Sequence, residues 1–187
     1  MTSVTGNDWN DWKIDCPVYI VLDIPSPAAE KIQSFRKKFD PERSKLPVEI
    51  TLTGSCGTGL VSQGQTIREI TEHLERAAKE IHPFHISFDK VERFPGTDIY
   101  FLKVKENPEL LAAQKKISEC GIRFDPSPYP FQAHCTIALR KEINCLKKQF
   151  ELLFIDFPKE PICLDMLSVY AMKDANSCEI LHKIALS

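Results

Sequence analysis

Two short tetrads hold the residue types from which proton-transfer chemistry could be built. His134-Cys135-Thr136-Ile137 follows Phe131-Gln132-Ala133, and Glu49-Ile50-Thr51-Leu52 follows Leu46-Pro47-Val48. Residues two apart in a strand share a face. His134 and Thr136 therefore point one way, with Cys135 and Ile137 directed into a core. By the same parity Glu49, Thr51 and Thr53 share one face, with Ile50 and Leu52 on the other. A carboxylate and an imidazole can divide the base and acid roles of a reaction, and adjacent hydroxyls can donate hydrogen bonds to developing negative charge. Either tetrad alone says little. A single H-x-T recurs by chance, a glutamate at a strand end is ordinary on a surface, and threonine is a good β-former. The recurrence 85 positions apart, once in each half, is the informative observation.

The elements that must position these residues follow from periodicity. Val18 to Ile24 is a continuous apolar run that predicts a buried strand. Ser26-Pro27 predicts an N-cap and first helical position, with Ala28, Ile32, Phe35 and Phe39 on one face. Pro41 and Pro47 bracket a loop before the first tetrad, on a short strand from Val48 to Thr53. Ile67 to Ile81 is an amphipathic helix, and Phe84, Ile86 and Phe88 alternate as a half-buried strand. Pro95-Gly96 turns the chain into a strand from Ile99 to Lys105. Asn107, Pro108 and Gly121 punctuate a helix. A proline-rich loop, Asp125 to Pro130, leads into a strand from Phe131 to Leu139, which carries the second tetrad. Lys141 to Phe154 reads as helix, and Cys163 to Met172 and Cys178 to Leu186 as two closing strands. The order β-α-β-α-β-β-α-β-α-β-β predicts an α+β fold with helices outside antiparallel-rich sheet. Residues 1–15 read as a polar tail whose Trp9 and Trp12 dock on one domain spanning 16–187.

Composition limits the partners. The 187 residues are 43% apolar and 27% charged, with 24 basic against 26 acidic side chains. That balance suits a globular domain and lacks the basic excess of extended duplex binding. The seven cysteines are irregularly spaced without C-x-x-C, which predicts free thiols and a reducing, cytoplasmic address. The apolar run after Pro17 is too short for a signal core or a membrane span. No G-x-G-x-x-G or Walker loop occurs, and the four glycines between Gly54 and Gly64 come without a lysine. His82-Pro-Phe-His85 has a metal-like spacing, but Pro83 breaks any helix there and no third ligand is evident. No metal or cofactor is expected. Cys135 points away from His134, which argues against a Cys–His nucleophile. His73 and His182 read as solvated or satisfied positions.

The paired tetrads and the element order, from about Val18 to Leu186, resemble the two-histidine phosphoesterase superfamily, the LigT-like and cyclic phosphodiesterase proteins. These carry two H-x-[T/S]-x motifs on paired central strands. Phe35-Arg-Lys-Lys-Phe-Asp-Pro41 and the hairpin from Val91 to Tyr100 resemble the small bacterial YjcG-type branch. The second motif matches outright, whereas Glu49 stands where the family has histidine. The resemblance implies two pseudo-symmetric lobes around a central cleft, with Glu49, Thr51, His134 and Thr136 lining one concave site on strands of one sheet. It implies general acid–base action on 2′,3′-cyclic phosphate or 2′–5′ linked nucleotide or RNA ends. Glu49 would then be the base and His134 the acid, with Thr51 and Thr136 holding the phosphate and a pH optimum on the acidic side of neutral. Thr53, Phe94, Tyr129, Phe131 and Arg140 are candidate substrate contacts, the aromatics through base stacking and Arg140 as an offset to the Glu49 charge. The alternative is a relative that binds nucleotide or RNA ends without turnover. A monomer without membrane contact is expected in either case.

Overall fold

In the computed structural model, residues 11–54, 56–139 and 146–187 are described. Helices α1 (Ala28–Phe39), α2 (Ile67–Ala78), α3 (Pro108–Ser118) and α4 (Leu146–Leu153) accompany nine strands. The strands are β1 (Val18–Asp23), β2 (Glu49–Thr51), β3 (Phe84–Ile86), β4 (Phe88–Arg93), β5 (Tyr100–Val104), β6 (His134–Ala138), β7 (Ile162–Leu164), β8 (Met166–Asp174) and β9 (Ser177–Ala185). The fold is α+β with antiparallel pairing. A four-stranded sheet has the order β2-β1-β8-β9, a three-stranded sheet the order β4-β5-β6, and β3 pairs with β7. Among the described residues no helix is long and apolar enough to cross a membrane.

Local signals explain the helix ends. Thr66 and Glu69 form a reciprocal capping box at the start of α2, an arrangement worth about 1 kcal/mol. Asn107 Oδ1 accepts from Leu110 N at 2.7 Å at the start of α3, with Pro108 at its first position. The predicted Ser26 cap is not made. Pro27 occupies the cap position without a side-chain cap, and Ser26 Oγ instead donates to Glu30 Oε1 at 2.8 Å. Three expected strands are also revised. The run from Phe84 to Phe88 divides into β3 and β4, which join different sheets, and the run from Cys163 divides likewise into β7 and β8. A single-residue break serves two sheets at each place, because the apolar alternation cannot show where a strand changes partner. The second motif strand begins at His134 rather than Phe131, after the proline-rich loop. Within the expected tail, Ile14 is buried; its N–H donates to Gln65 O at 3.0 Å, and Ile67 N donates to Trp12 O at 3.1 Å. Trp9 lies outside the described residues.

The two motif strands belong to different sheets, contrary to the single sheet expected. β2 is the outer strand of the four-stranded sheet, and β6 that of the three-stranded sheet. They nevertheless lie against one another. The junction is made by α1, whose Ala28, Ile32 and Arg36 are buried at four-residue spacing. Arg36 is fully buried. Its Nε and Nη2 donate to Thr136 O at 3.1 and 2.8 Å, and its Nη1 donates to Leu46 O and Pro47 O at 3.2 and 2.7 Å. One guanidinium thus ties the backbone of β6 to the chain entering β2. Asp40, just past the helix, accepts from Arg43 N at 3.0 Å and Leu139 N at 2.9 Å. It fixes a short 3-10 turn (Arg43–Lys45) to the end of β6.

Candidate active site

A cavity of about 360 Å³ opens where β2 and β6 meet, a volume suited to a mononucleotide-sized ligand. Glu49, Thr51, His134 and Thr136 all line it. The strand parity read from the sequence thus brings four side chains from two sheets to one concavity.

His134 is buried, and Phe94 and Phe101 meet its ring edge-on at centroid distances of 5.1 and 5.2 Å. Its Nδ1 lies 2.7 Å from Gln132 O. A carbonyl only accepts, so Nδ1 carries the hydrogen in this contact, and in the neutral ring Nε2 keeps its lone pair. Burial holds the imidazole pKa below its ordinary value, against the opposing pull of Gln132 O and Glu49. At neutral pH His134 is accordingly a proton acceptor.

Glu49 is buried in the same cavity and holds one hydrogen-bond donor and one cation. Thr51 Oγ1 donates to its Oε2 at 2.7 Å, and Arg43 Nη2 lies 3.5 Å from its Oε1. Arg43 is the functional candidate that the sequence did not single out. It lies in a turn, where neither strand nor helix parity assigns a direction. Its Nε is buried with no hydrogen-bond partner among the described residues. Burial, and then Arg36, depress its pKa.

Tyr19 and Tyr170 add phenols to the cavity wall. Tyr170 Oη donates to Asp23 Oδ1 at 2.7 Å, while Asp23 Oδ2 accepts from Ser168 Oγ at 2.9 Å and Lys183 Nζ at 2.6 Å. Burial and this bond to Asp23 raise the Tyr170 pKa far above the usual phenol range, so Tyr170 stays a hydrogen-bond donor at any ordinary pH.

The other predicted contacts divide. Phe94 lines the cavity, but its ring stacks on Phe101 at 4.2 Å and packs against His134. Thr53 does not line it. β2 ends at Thr51, and the buried Thr53 hydroxyl accepts from Ile20 N at 3.0 Å. Tyr129 is 65% exposed and lies away from the cavity. Phe131 packs on the core and over Gly57, which has φ +72° and would place a Cβ 2.6 Å from Phe131 Cβ. Arg140 lies outside the described residues. Among the described residues no group of three His, Cys, Asp or Glu side chains is placed to hold a metal. The six described cysteines are free thiols, and Cys145 lies outside the described residues.

Residues 24–172 match the 2′-5′ RNA ligase superfamily, and the chain belongs to that family. A protein of Oceanobacillus iheyensis named "Putative phosphoesterase" is 34% identical over 110 residues, which cover 58% of this chain and 62% of that one. A Bacillus licheniformis protein of the same description is 27% identical over 122 residues, covering 64% and 69% of the two chains. The match thus spans about three fifths to two thirds of these relatives. The fold is similar to that of E. coli LigT complexed with phosphate, with a TM-score of 0.59 at 17% identity over 92% of this chain and 98% of LigT. For LigT complexed with 3′-AMP the TM-score is 0.58 at 19% identity, with the same coverage. The chain is thus a member of the 2′-5′ RNA ligase superfamily with a LigT-like fold.

Proposed function

We propose that this chain is a phosphodiesterase acting on 2′,3′-cyclic phosphate or 2′–5′ linked nucleotide or RNA ends by general acid–base chemistry. The observation that carries the reading is the convergence of Glu49, Thr51, His134 and Thr136 on one cavity of nucleotide size. Thr51 and Thr136 donate to the non-bridging phosphate oxygens and hold the charge that accumulates there. The Glu49 carboxylate takes a proton from water as the water oxygen bonds to phosphorus. His134, once protonated, gives a proton from Nε2 to the ribose oxygen as its bond to phosphorus breaks. Atoms balance: one water is consumed, and a phosphomonoester and a ribose hydroxyl are left.

Burial delays the protonation of His134, and an anionic phosphate beside the ring favours it. Protonated His134 is therefore favoured on the acidic side and with the ligand in place. A second reading has specific support. Glu49 is already engaged by Arg43 and Thr51, and at neutral pH a carboxylate faces a neutral imidazole, so neither is a proton donor. A protein that binds nucleotide or RNA ends without turning them over fits that state. Turnover of adenosine 2′,3′-cyclic phosphate from pH 5 to 8 tests the first reading, using wild type, His134→Ala, Glu49→Gln and Glu49→His. His134→Ala and Glu49→Gln should each cut the rate by about 10²–10⁴. Binding without turnover at every pH, in wild type and in Glu49→His, assigns the chain to the second reading.

A further inference from the structure

The Glu49 carboxylate engages a hydroxyl donor and a cation that an anionic ligand would want. Thr51 Oγ1 donates to it at 2.7 Å, and the Arg43 guanidinium is 3.5 Å away. Both groups line the same cavity as His134 and Thr136. Arg43 retains a buried, unpartnered Nε, so its hydrogen-bonding capacity is not exhausted by Glu49. The described residues lining the cavity carry one cation, Arg43, and one anion, Glu49. His134 is neutral at physiological pH, and Asp23, behind Tyr170, is paired separately with Lys183 at 2.6 Å. The other titratable groups that feel the Glu49 charge are the phenols of Tyr19 and Tyr170 and the thiols of Cys135 and Cys178. All four are raised by burial first and are uncharged at neutral pH. Among the described residues the wall thus has zero net charge, with a carboxylate beside the hydroxyl that would grip phosphate.

Resting on the phosphate site proposed above, we propose that the Arg43–Glu49 pair makes this cavity select phosphodiester monoanions over phosphomonoester dianions. A diester carries one negative charge, which Arg43 can meet while Glu49 yields the Thr51 hydroxyl. A monoester carries close to two at neutral pH, because its second pKa is about 6. The second charge meets the carboxylate. One extra charge about 5 Å from a carboxylate costs on the order of a hundredfold in binding at an effective dielectric near 20. The Arg43 cation beside it offsets much of this, which leaves a preference of about tenfold. The pair thus serves substrate choice and release together: opening a cyclic diester creates the very charge that the wall rejects.

Calorimetric titration of the full chain tests this with two probes that lack a 2′-hydroxyl. One is deoxyadenosine 3′-(methyl phosphate), a monoanion; the other is deoxyadenosine 3′-phosphate. At pH 8 the diester should bind about tenfold tighter. At pH 5, where the monoester loses its second charge, the ratio should fall towards one in the unaltered protein. Glu49→Gln at pH 8 should tighten binding of both ligands, the monoester by about tenfold more than the diester. Equal affinities at pH 8, a monoester preference, or a ratio that neither pH nor Glu49→Gln moves would overturn the selection and leave the phosphate site standing. Failure of both probes to bind at both pH values would overturn the phosphate site, and the selection with it. The pH comparison needs no variant, so the outcome stands even if Glu49→Gln does not fold.

Discussion

Replacing Arg36 by methionine should cost about 3 kcal/mol of stability and dismantle the cavity without replacing any residue that lines it. Methionine keeps most of the buried stem but removes the guanidinium, and with it the bonds to Thr136 O, Leu46 O and Pro47 O. Leu46 O retains Gln33 Nε2 at 2.8 Å. Thr136 O and Pro47 O lose the partner that Arg36 supplies. An orphaned buried acceptor such as Thr136 O costs about 1–3 kcal/mol, and the half-buried Pro47 O, which lines the cavity, adds a smaller part. Removal of a fully buried cation returns part of this through relieved desolvation, which keeps the expectation at about 3 kcal/mol. Against a typical stability of about 5–15 kcal/mol, the loss is readily measured by urea denaturation as a fall in midpoint at unchanged slope. Arg36→Lys should recover only part of it, because a point charge cannot fork to carbonyls on both strands. Binding of inorganic phosphate should weaken in both variants, since Thr136 and Glu49 lose their common brace. An Arg36→Met protein within about 0.5 kcal/mol of wild type, or an Arg36→Lys protein equal to it, would refute the account of the junction.

Four further outcomes are expected. The His134 ring, followed by NMR, should titrate below 6.5, because burial disfavours its cation. Its contribution to stability is then complete above about pH 6.5, where folded and unfolded rings are both neutral. It is lost as pH falls towards the depressed folded value, where the unfolded ring takes up the proton first; a midpoint at or above 6.5 contradicts this. Thr51→Val and Thr136→Val should each weaken inorganic phosphate binding about fivefold to tenfold with little loss of stability, whereas Thr53→Val should destabilise by about 1 kcal/mol through Ile20 N and leave phosphate binding unchanged. Gly57→Ala should destabilise by about 2 kcal/mol in thermal unfolding, since it forces a Cβ into positive φ and against Phe131. Tyr170→Phe should leave Asp23 bonded to Ser168 and Lys183 and cost about 1 kcal/mol in the same assay.

Much of the site was legible because strand parity is a local property. Two alternations, around Glu49 and around His134, sufficed to place four side chains on facing surfaces. The capped start of α3 was equally local, written in Asn107 and Pro108, whereas the Thr66–Glu69 box at the start of α2 emerged only from the structure. Parity failed at Thr53, where β2 stops two residues earlier and the chain turns the side chain inward to Ile20 N. Pairing failed where a strand changes sheet, at the β3–β4 and β7–β8 breaks, because the apolar pattern is the same on either side. Arg36 had one signal, its place four residues after Ile32 on the Ala28–Ile32 stripe. An arginine there reads as a snorkelling surface residue until its acceptors, 10 and 100 positions away, are in view. Arg43 had no signal, since a turn confers no periodicity. Charge balance across the whole chain, close to neutral, also concealed the local pairing of Arg43 with Glu49.

The meeting of β2 and β6 has a consequence for solubility. Each is the last strand of its sheet, and an open last strand is a template for pairing with another copy of the chain. Here the two borders are turned towards one another, and Arg36 caps Thr136 O on β6 and the carbonyls of Leu46 and Pro47 just before β2. The cleft that receives a ligand is therefore also the place where two self-association hazards neutralise each other. Any event that parts the two sheets, whether mutation of the brace or partial unfolding, uncovers both borders at once. Aggregation should begin there before the four-stranded sheet itself is lost.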